Sequence, residues 1–186
     1  MITASGALAH HRFGPGASAL SIGLASLLLA AASWISVPMI PVPMTMQTLA
    51  VTLVGAALGP RLGAAAVLAW LAQAAVGMPV LAGGTGGLAP FAGPTAGYLL
   101  AFPVAAMAVG ALVQAGWDAR RPVLLLAAML IGNGLCLVLG AAWLAALAGI
   151  EAAIATGVAP FVIGGAVKAA MGAALILAAG RSAPRG

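Results

Sequence analysis

The sequence predicts an all-α membrane protein with six transmembrane helices, whose irregular outer loops cap an outward-facing ligand pocket. Three observations lead there. Of 186 residues, 64% are hydrophobic and 5% are charged, too few charges to clothe a water-soluble surface. Six apolar stretches can serve as crossings, judged against the about 20 residues that a span needs: 17–34, 47–58, 62–76, 96–115, 122–144 and 160–179. Finally, an even number of spans places Arg12, Arg61, Asp118, Arg120, Arg121, Arg181 and Arg185 on one side and leaves only Glu151 on the other. Five or seven spans would scatter the arginines. A Lys/Arg excess marks the cytoplasmic side, so both termini are expected in the cytoplasm of a multi-pass protein of the cell (inner) membrane. Residues 1–186 read as one integral membrane domain, without internal repeat or long linker.

The first span follows Arg12 and ends near the small residues Leu29 to Ser33, a pattern that a cleaved signal peptide also shows. The even-span topology requires this segment to stay. The second and third spans are short, since 12 helical residues rise only about 18 Å against roughly 30 Å of hydrocarbon. Their outer flanks must therefore help to cross. Residues 37–46 carry Pro38, Pro41 and Pro43, which rule out a regular helix. Residues 82–95 contain Gly83, Gly84, Gly86, Gly87 and Gly93 and break helix equally. Neither segment has a charge, and irregular backbone at membrane depth persists only when buried in protein or lining a cavity. Both are expected to fold over a pocket. The remaining connections, 116–121 and 145–159, read as loops that hold Asp118 and Glu151.

Lys168 is the one cation inside the apolar stretches. A lone ammonium in hydrocarbon costs on the order of 3 kcal/mol or more and usually meets a partner in a cavity. Neither acid is near in sequence, so a ligand that is anionic or strongly hydrogen-bonding is the expected counterpart; the alternative is a lysine that snorkels to the interface. Helical spacing sets Phe161, Gly164, Gly165 and Gly172 on or near its face. Thr45 and Gln47 stand where the proline segment enters span two, suited to a polar ligand edge or to capping the helix. Gly84, Thr85 and Gly86 form the glycine segment, with Thr95 following. Tyr98 offers a phenol from an apolar wall or anchors the chain at the interface. Phe91, Phe161 and the loop methionines are apolar covers. Trp34, Trp70, Trp117 and Trp143 read as interfacial belt residues, and Asn133 as interhelical glue. Ala17, Ser21 and Ala25 repeat at four-residue spacing, a face that permits close approach either within the bundle or by a partner protein.

Other chemistry is not supported. There is no Walker-type Gly-Lys-Ser/Thr loop for ATP, no acidic pair for ion coupling and no metal cluster. His10 and His11 stand alone, and the single Cys136 forbids an intramolecular disulfide. The net charge of +5 is scattered over loops and does not argue for nucleic acid. The chain is not expected to be an enzyme or to bind a cofactor.

Several blocks carry a resemblance: residues 41–51 (PVPMTMQTLAV), 58–63 (LGPRLG), 77–80 (GMPV), 83–87 (GGTGG) and 93–99 (GPTAGYL), then Pro160, Phe161 and Lys168. In this order they resemble the BioY family, the biotin-binding S components of energy-coupling factor transporters. The resemblance covers most of the chain. It implies biotin as the captured and imported ligand, held at the outer side beneath the loops after spans one and three. It implies as partners a transmembrane coupling protein, met by Ala17, Ser21 and Ala25, and two ABC-type ATPases that use ATP. Two positions depart from the family pattern: an acid expected at Gly165 and an Asn near Gly83 are both absent. The missing acid leaves open an S component for another vitamin, and some family members occur without a dedicated module.

Overall fold

In the computed structural model, which describes residues 14–182, helices dominate. His10, His11, Arg12 and Arg185 lie outside the described residues. Among the described residues, five helices are long and apolar enough to cross a membrane: Pro15–Trp34 (α1), Gln47–Ala75 (α2), Ala96–Gln114 (α3), Pro122–Ala148 (α4) and a final stretch Ile150–Gly180. Their outer faces stay apolar, with Leu20, Leu24, Leu27, Val138 and Ile163 exposed, as hydrocarbon contact requires. Each buried face follows helical periodicity; in α1 it is Ala25, Ser26, Leu29, Ala32 and Ser33.

The second and third expected spans fall inside the single element α2. It is broken at Gly59, where φ is 78° and ψ is 178°, a backbone region that essentially only glycine occupies. Pro60 follows and removes a helix donor. The chain folds back sharply there. A Cβ built on Gly63 would lie 2.9 Å from the Gly55 Cα, whereas eight residues of straight helix would separate the two by about 12 Å. The helix α2 is therefore a tight hairpin with arms 47–58 and 60–75. Glycines let α3 close on it: a Cβ on Gly110 would stand 2.5 Å from Pro60 N and 2.8 Å from the Gly55 carbonyl oxygen.

The connection expected at 145–159 is mostly helical. Gly149, at φ 86°, alone interrupts α4. A short helix Ile150–Ala152 (α5) then leads through a π turn, Ala153–Val158, into Ala159–Ser182 (α6). Alanine and isoleucine tolerate helix well, so the segment needs no loop. The widened turn lies just where the ring of Pro160 would strike the carbonyl one turn back. Glu151 accordingly sits exposed in a helical turn rather than in a loop, while Asp118 does occupy one.

The two ends of the bundle differ. At one end the α2 hairpin tip packs on Gly110 of α3, and Gly180 approaches Ala119, so Arg61 and the loop carrying Asp118, Arg120 and Arg121 gather together. Asp118 accepts from Arg120 Nε and Nη2, the latter at 2.8 Å, and this guanidinium holds its carboxyl below the usual range. The other end carries the proline segment, the glycine segment and the π turn. In the proline segment Ser36–Val37 (β1) pairs antiparallel with Met44–Thr45 (β2), a two-residue ribbon in what the sequence presents as wholly irregular chain.

Gly59→Ala should lower the detergent-solubilised melting temperature, by an amount equivalent to about 1–3 kcal/mol, because no alanine conformation matches the hairpin tip. A melt indistinguishable from wild type would mean that the tip is not held as described.

Candidate functional site

A cavity of about 330 Å³ lies at the loop-rich end. Its walls are the proline segment (Pro41, Val42, Pro43, Thr45), the first turn of α2, the glycine segment from Leu81 to Thr95, the start of α3 and two residues of α6, Phe161 and Lys168. The lining is largely apolar, as small-molecule sites are.

Lys168 is 7% exposed. Its Nζ donates to the Thr45 backbone carbonyl at 3.0 Å, so the counterpart visible in the protein is a neutral carbonyl of the β ribbon. That carbonyl sits at the head of a buried hydrogen-bond chain. Thr45 Oγ1 donates to Gln47 Oε1 at 2.9 Å and accepts from the Gln47 backbone N–H at 3.2 Å. Gln47 Nε2 donates to Ser33 Oγ at 3.0 Å, and Ser33 Oγ donates to the Leu29 carbonyl at 2.7 Å. Three elements are thereby tied at one point: α6 through Lys168, the proline segment through Thr45 and α1 through Ser33.

Two indoles hold the glycine segment. Trp70 Nε1 donates to the Val80 carbonyl and Trp143 Nε1 to the Gly93 carbonyl, both at 3.0 Å. Trp70 is fully buried and stacks on Phe102 with ring centroids 5.9 Å apart. It is thus a core residue and not part of an interfacial belt, because its single donor has a loop carbonyl to satisfy inside the bundle. An exchange of aromatics and glycines locks α3 to α4. The Tyr98 ring occupies the space beside Gly140, and Trp143 occupies that beside Gly97. Tyr98 hydroxyl donates to the Gly157 carbonyl of the π turn at 2.8 Å, and its ring lies 6.2 Å from that of Phe161.

Of the site residues expected from sequence, Thr45, Gln47, Thr85, Tyr98, Phe161 and Lys168 line this cavity. The other five stand outside the lining, each for a packing reason. Gly84 lies under the Trp34 ring, and Gly86 closes on the Met78 carbonyl. Phe91, from the short turn Ala89–Phe91, packs on the core. Gly164 faces Met44 Sδ, and Gly165 faces Asn133. Asn133 bonds within its own helix, Nδ2 donating to the Met129 carbonyl at 3.0 Å, and its buried Oδ1 has no partner. Ala25 is buried in the bundle, which leaves Ala17 and Ser21 of that face nearer the surface. The sequence reading missed Thr48, Leu81, Pro90, Pro94, Leu99 and Phe102 as lining residues. Only Thr48, a hydroxyl one residue past Gln47, carried a chemical signal that could have found it.

A sequence model of the BioY family matches residues 10–185. The chain belongs to the BioY family. Among its relatives, a probable biotin transporter BioY from Pyrococcus horikoshii is 39% identical over 155 residues, covering 82% of this chain and 91% of the relative. The biotin transporter BioY of Rhizobium etli is 41% identical over 148 residues, covering 76% and 79%. The crystal structure of the S-component for biotin from an ECF-type ABC transporter superposes with a TM-score of 0.78 at 24% identity, covering 93% of this chain and 97% of that one; it shares the fold. BioY proteins named as transporters and five apolar helices together make this a multi-pass membrane protein.

Ser33→Ala should lower stability by about 1–3 kcal/mol, since it strands a buried Gln47 N–H. Thermal unfolding in detergent measures this. Tyr98→Phe should cost a similar amount by leaving the Gly157 carbonyl unpaired, with the loss visible as faster hydrogen exchange around the π turn.

Proposed function

We propose that this BioY-family protein captures biotin in the cavity and imports it across the cell membrane, as the substrate-binding component of an energy-coupling factor transporter. The observation that carries this reading is spatial. Three of the blocks that resemble the family, 41–51, 83–87 and 93–99, contribute to one cavity together with Phe161 and Lys168, and Lys168, the one buried cation among the described residues, stands in its wall. At about 330 Å³ the cavity falls within the range of roughly 300–1,000 Å³ common for small-molecule sites. Biotin combines an apolar bicycle, a neutral ureido group and a carboxylate. The apolar lining suits the bicycle. The Lys168 ammonium has three donors, one of them engaged by Thr45, so the others are available to a carboxylate or a ureido carbonyl. Gln47 contributes mainly by bracing Thr45, because its amide already holds Thr45 and Ser33.

The membrane arrangement follows from charge. The end with Arg61, Arg120 and Arg121 faces the cytoplasm under the positive-inside rule, and the cavity faces outward. Each arm of the α2 hairpin makes a partial crossing, about 18 and 24 Å by helical rise, which the two apolar loop segments complete. On this count the protein has six membrane helices in one domain, with both termini inside. Without an ATP-binding loop of its own, the chain depends on partner subunits, a transmembrane coupling protein and ATPases. Ala17, which is exposed, and Ser21, which is half-buried, are the small residues offered to the former. Transport rather than catalysis is the outcome. A pocket tuned to a different vitamin is the second reading, favoured by the missing acid at Gly165.

Labelled biotin binding to the purified protein tests the proposal. Wild type should bind tightly and resist competition by other vitamins. Lys168→Met should lose at least about tenfold in affinity, as expected when a charge-assisted hydrogen bond to a ligand is removed. A folded wild type that ignores biotin, or whose biotin is displaced by another vitamin at lower concentration, would overturn the assignment.

A further inference from the structure

Asn133, on α4, is buried and half satisfied. Its Nδ2 donates to the Met129 carbonyl at 3.0 Å, while its Oδ1 is buried without a hydrogen-bond partner. The carbonyl fixes which end of the amide is the nitrogen, so the group left over is an acceptor. Such atoms are rare in native proteins and each calls for an explanation. Asn133 is not part of the cavity lining, so direct contact with a ligand does not supply one.

The packing of α4 on α6 brings up a donor. Glycines of α6 fix the register of the two antiparallel helices. A Cβ on Gly165 would lie 4.0 Å from Asn133 Cβ, and one on Gly172 would lie 3.4 Å from Met129 Sδ. The Asn133 amide, tied to the Met129 carbonyl, therefore occupies the stretch of α4 that faces residues 165–172. Lys168 stands inside that stretch. By helical rotation it is turned only about 60° from Gly165 and about 40° from both Gly172 and Gly164. Gly164 faces Met44 Sδ, so the lysine stem runs in the cleft between the β ribbon and α4. Helical side chains lean toward the N-terminus of their own helix. In an antiparallel pair the lysine thus leans toward the level of Asn133 while the amide leans toward that of Lys168. On one flank of the cleft the Thr45 carbonyl takes one ammonium donor at 3.0 Å. Asn133 stands on the other flank.

We infer that Asn133 is a positioning residue for Lys168: its Oδ1 accepts a second donor of the ammonium, so that the third is held toward the captured ligand. The structure shows the Thr45 bond, and the Asn133 bond forms as the terminal torsions of the lysine turn toward α4. An ammonium has three donors, and this allotment uses one on the proline segment, one on α4 and one on the ligand. Asn133 acts through the cation and does not touch the ligand. The ligand's identity rests on the biotin reading above, whereas the pairing of Asn133 with Lys168 rests on helix packing.

The test uses the full chain in detergent and has two readouts. The first is ligand-free thermal unfolding of Asn133→Asp, with Lys168 present and in the Lys168→Met background. A carboxylate beside the ammonium should raise the melting temperature, and the same carboxylate without the cation should lower it, because a buried charge then lacks a partner. A shift of the same sign and size in both backgrounds would mean that Asn133 and Lys168 do not meet, and would overturn the inference. The second readout is labelled-biotin binding to Asn133→Ala. Its affinity should fall about fivefold, the loss expected for one hydrogen bond that orients the cation. Unchanged affinity in a folded Asn133→Ala would overturn the positioning role while leaving biotin as the ligand. Wild type that fails to bind biotin would overturn the biotin reading, and the melting temperatures would still decide whether Asn133 pairs with Lys168.

Discussion

The buried bond from Lys168 to the Thr45 carbonyl is the constraint around which the loop-rich end is arranged. An ammonium among apolar helices needs an acceptor, and a charge-assisted hydrogen bond contributes about 1.5–3 kcal/mol. No carboxylate is available, because the two acids lie at the ends of the bundle. A backbone carbonyl must serve, and it must be one not already consumed by helix. The three prolines of residues 38–43 keep that chain out of helix, and the short β ribbon presents Thr45 to α6. Rigidity then passes through Gln47 and Ser33 to α1, so the cation, the loop and the first helix hold one another in register.

Close packing sets the walls. Glycines at 55, 59, 63 and 110 allow the α2 hairpin and α3 to meet backbone to backbone, a mode suited to membranes, where van der Waals contact replaces the hydrophobic effect between helices. At the cavity end the same economy works with aromatics. Tyr98 and Trp143 each fill space that a glycine on the facing helix leaves open, and each spends its polar atom on a loop or π-turn carbonyl. The result is a pocket whose loops are anchored by buried donors. Its polar side chains are mostly engaged with one another, and the spare donors of Lys168 remain.

Much of this was legible in the sequence, and the parts that were not share a cause. Apolar run length and the distribution of arginines identify the helices and the common end of Arg61, Arg120 and Arg121, because hydrocarbon and charge act on each residue separately. The helix-breaking segments and the isolated Lys168 mark the cavity end for the same reason. The segment 145–159, expected as a loop that holds Glu151, is mostly helical, because a π turn accommodates Pro160 and the helix continues. Gly84, Gly86, Gly164 and Gly165 look like ligand contacts by proximity to Lys168 or to the glycine motif, yet each answers to a packing neighbour.

The sequence by itself determined the membrane class, the hairpin break at Gly59–Pro60, the two helix-breaking segments and the identity of the one buried cation among the described residues. All of these are local consequences of side-chain transfer energy and backbone preference. Tertiary structure alone decided how the hydrogen bonds are allotted: that Lys168 meets a carbonyl, that the Gln47 amide braces Thr45 and Ser33 at the cavity wall, and that the Trp70 donor is satisfied inside the core. Hydrogen-bond partners come from distant segments, up to 123 residues apart for Lys168 and Thr45. No local rule can say which donor will find which acceptor until the helices have packed.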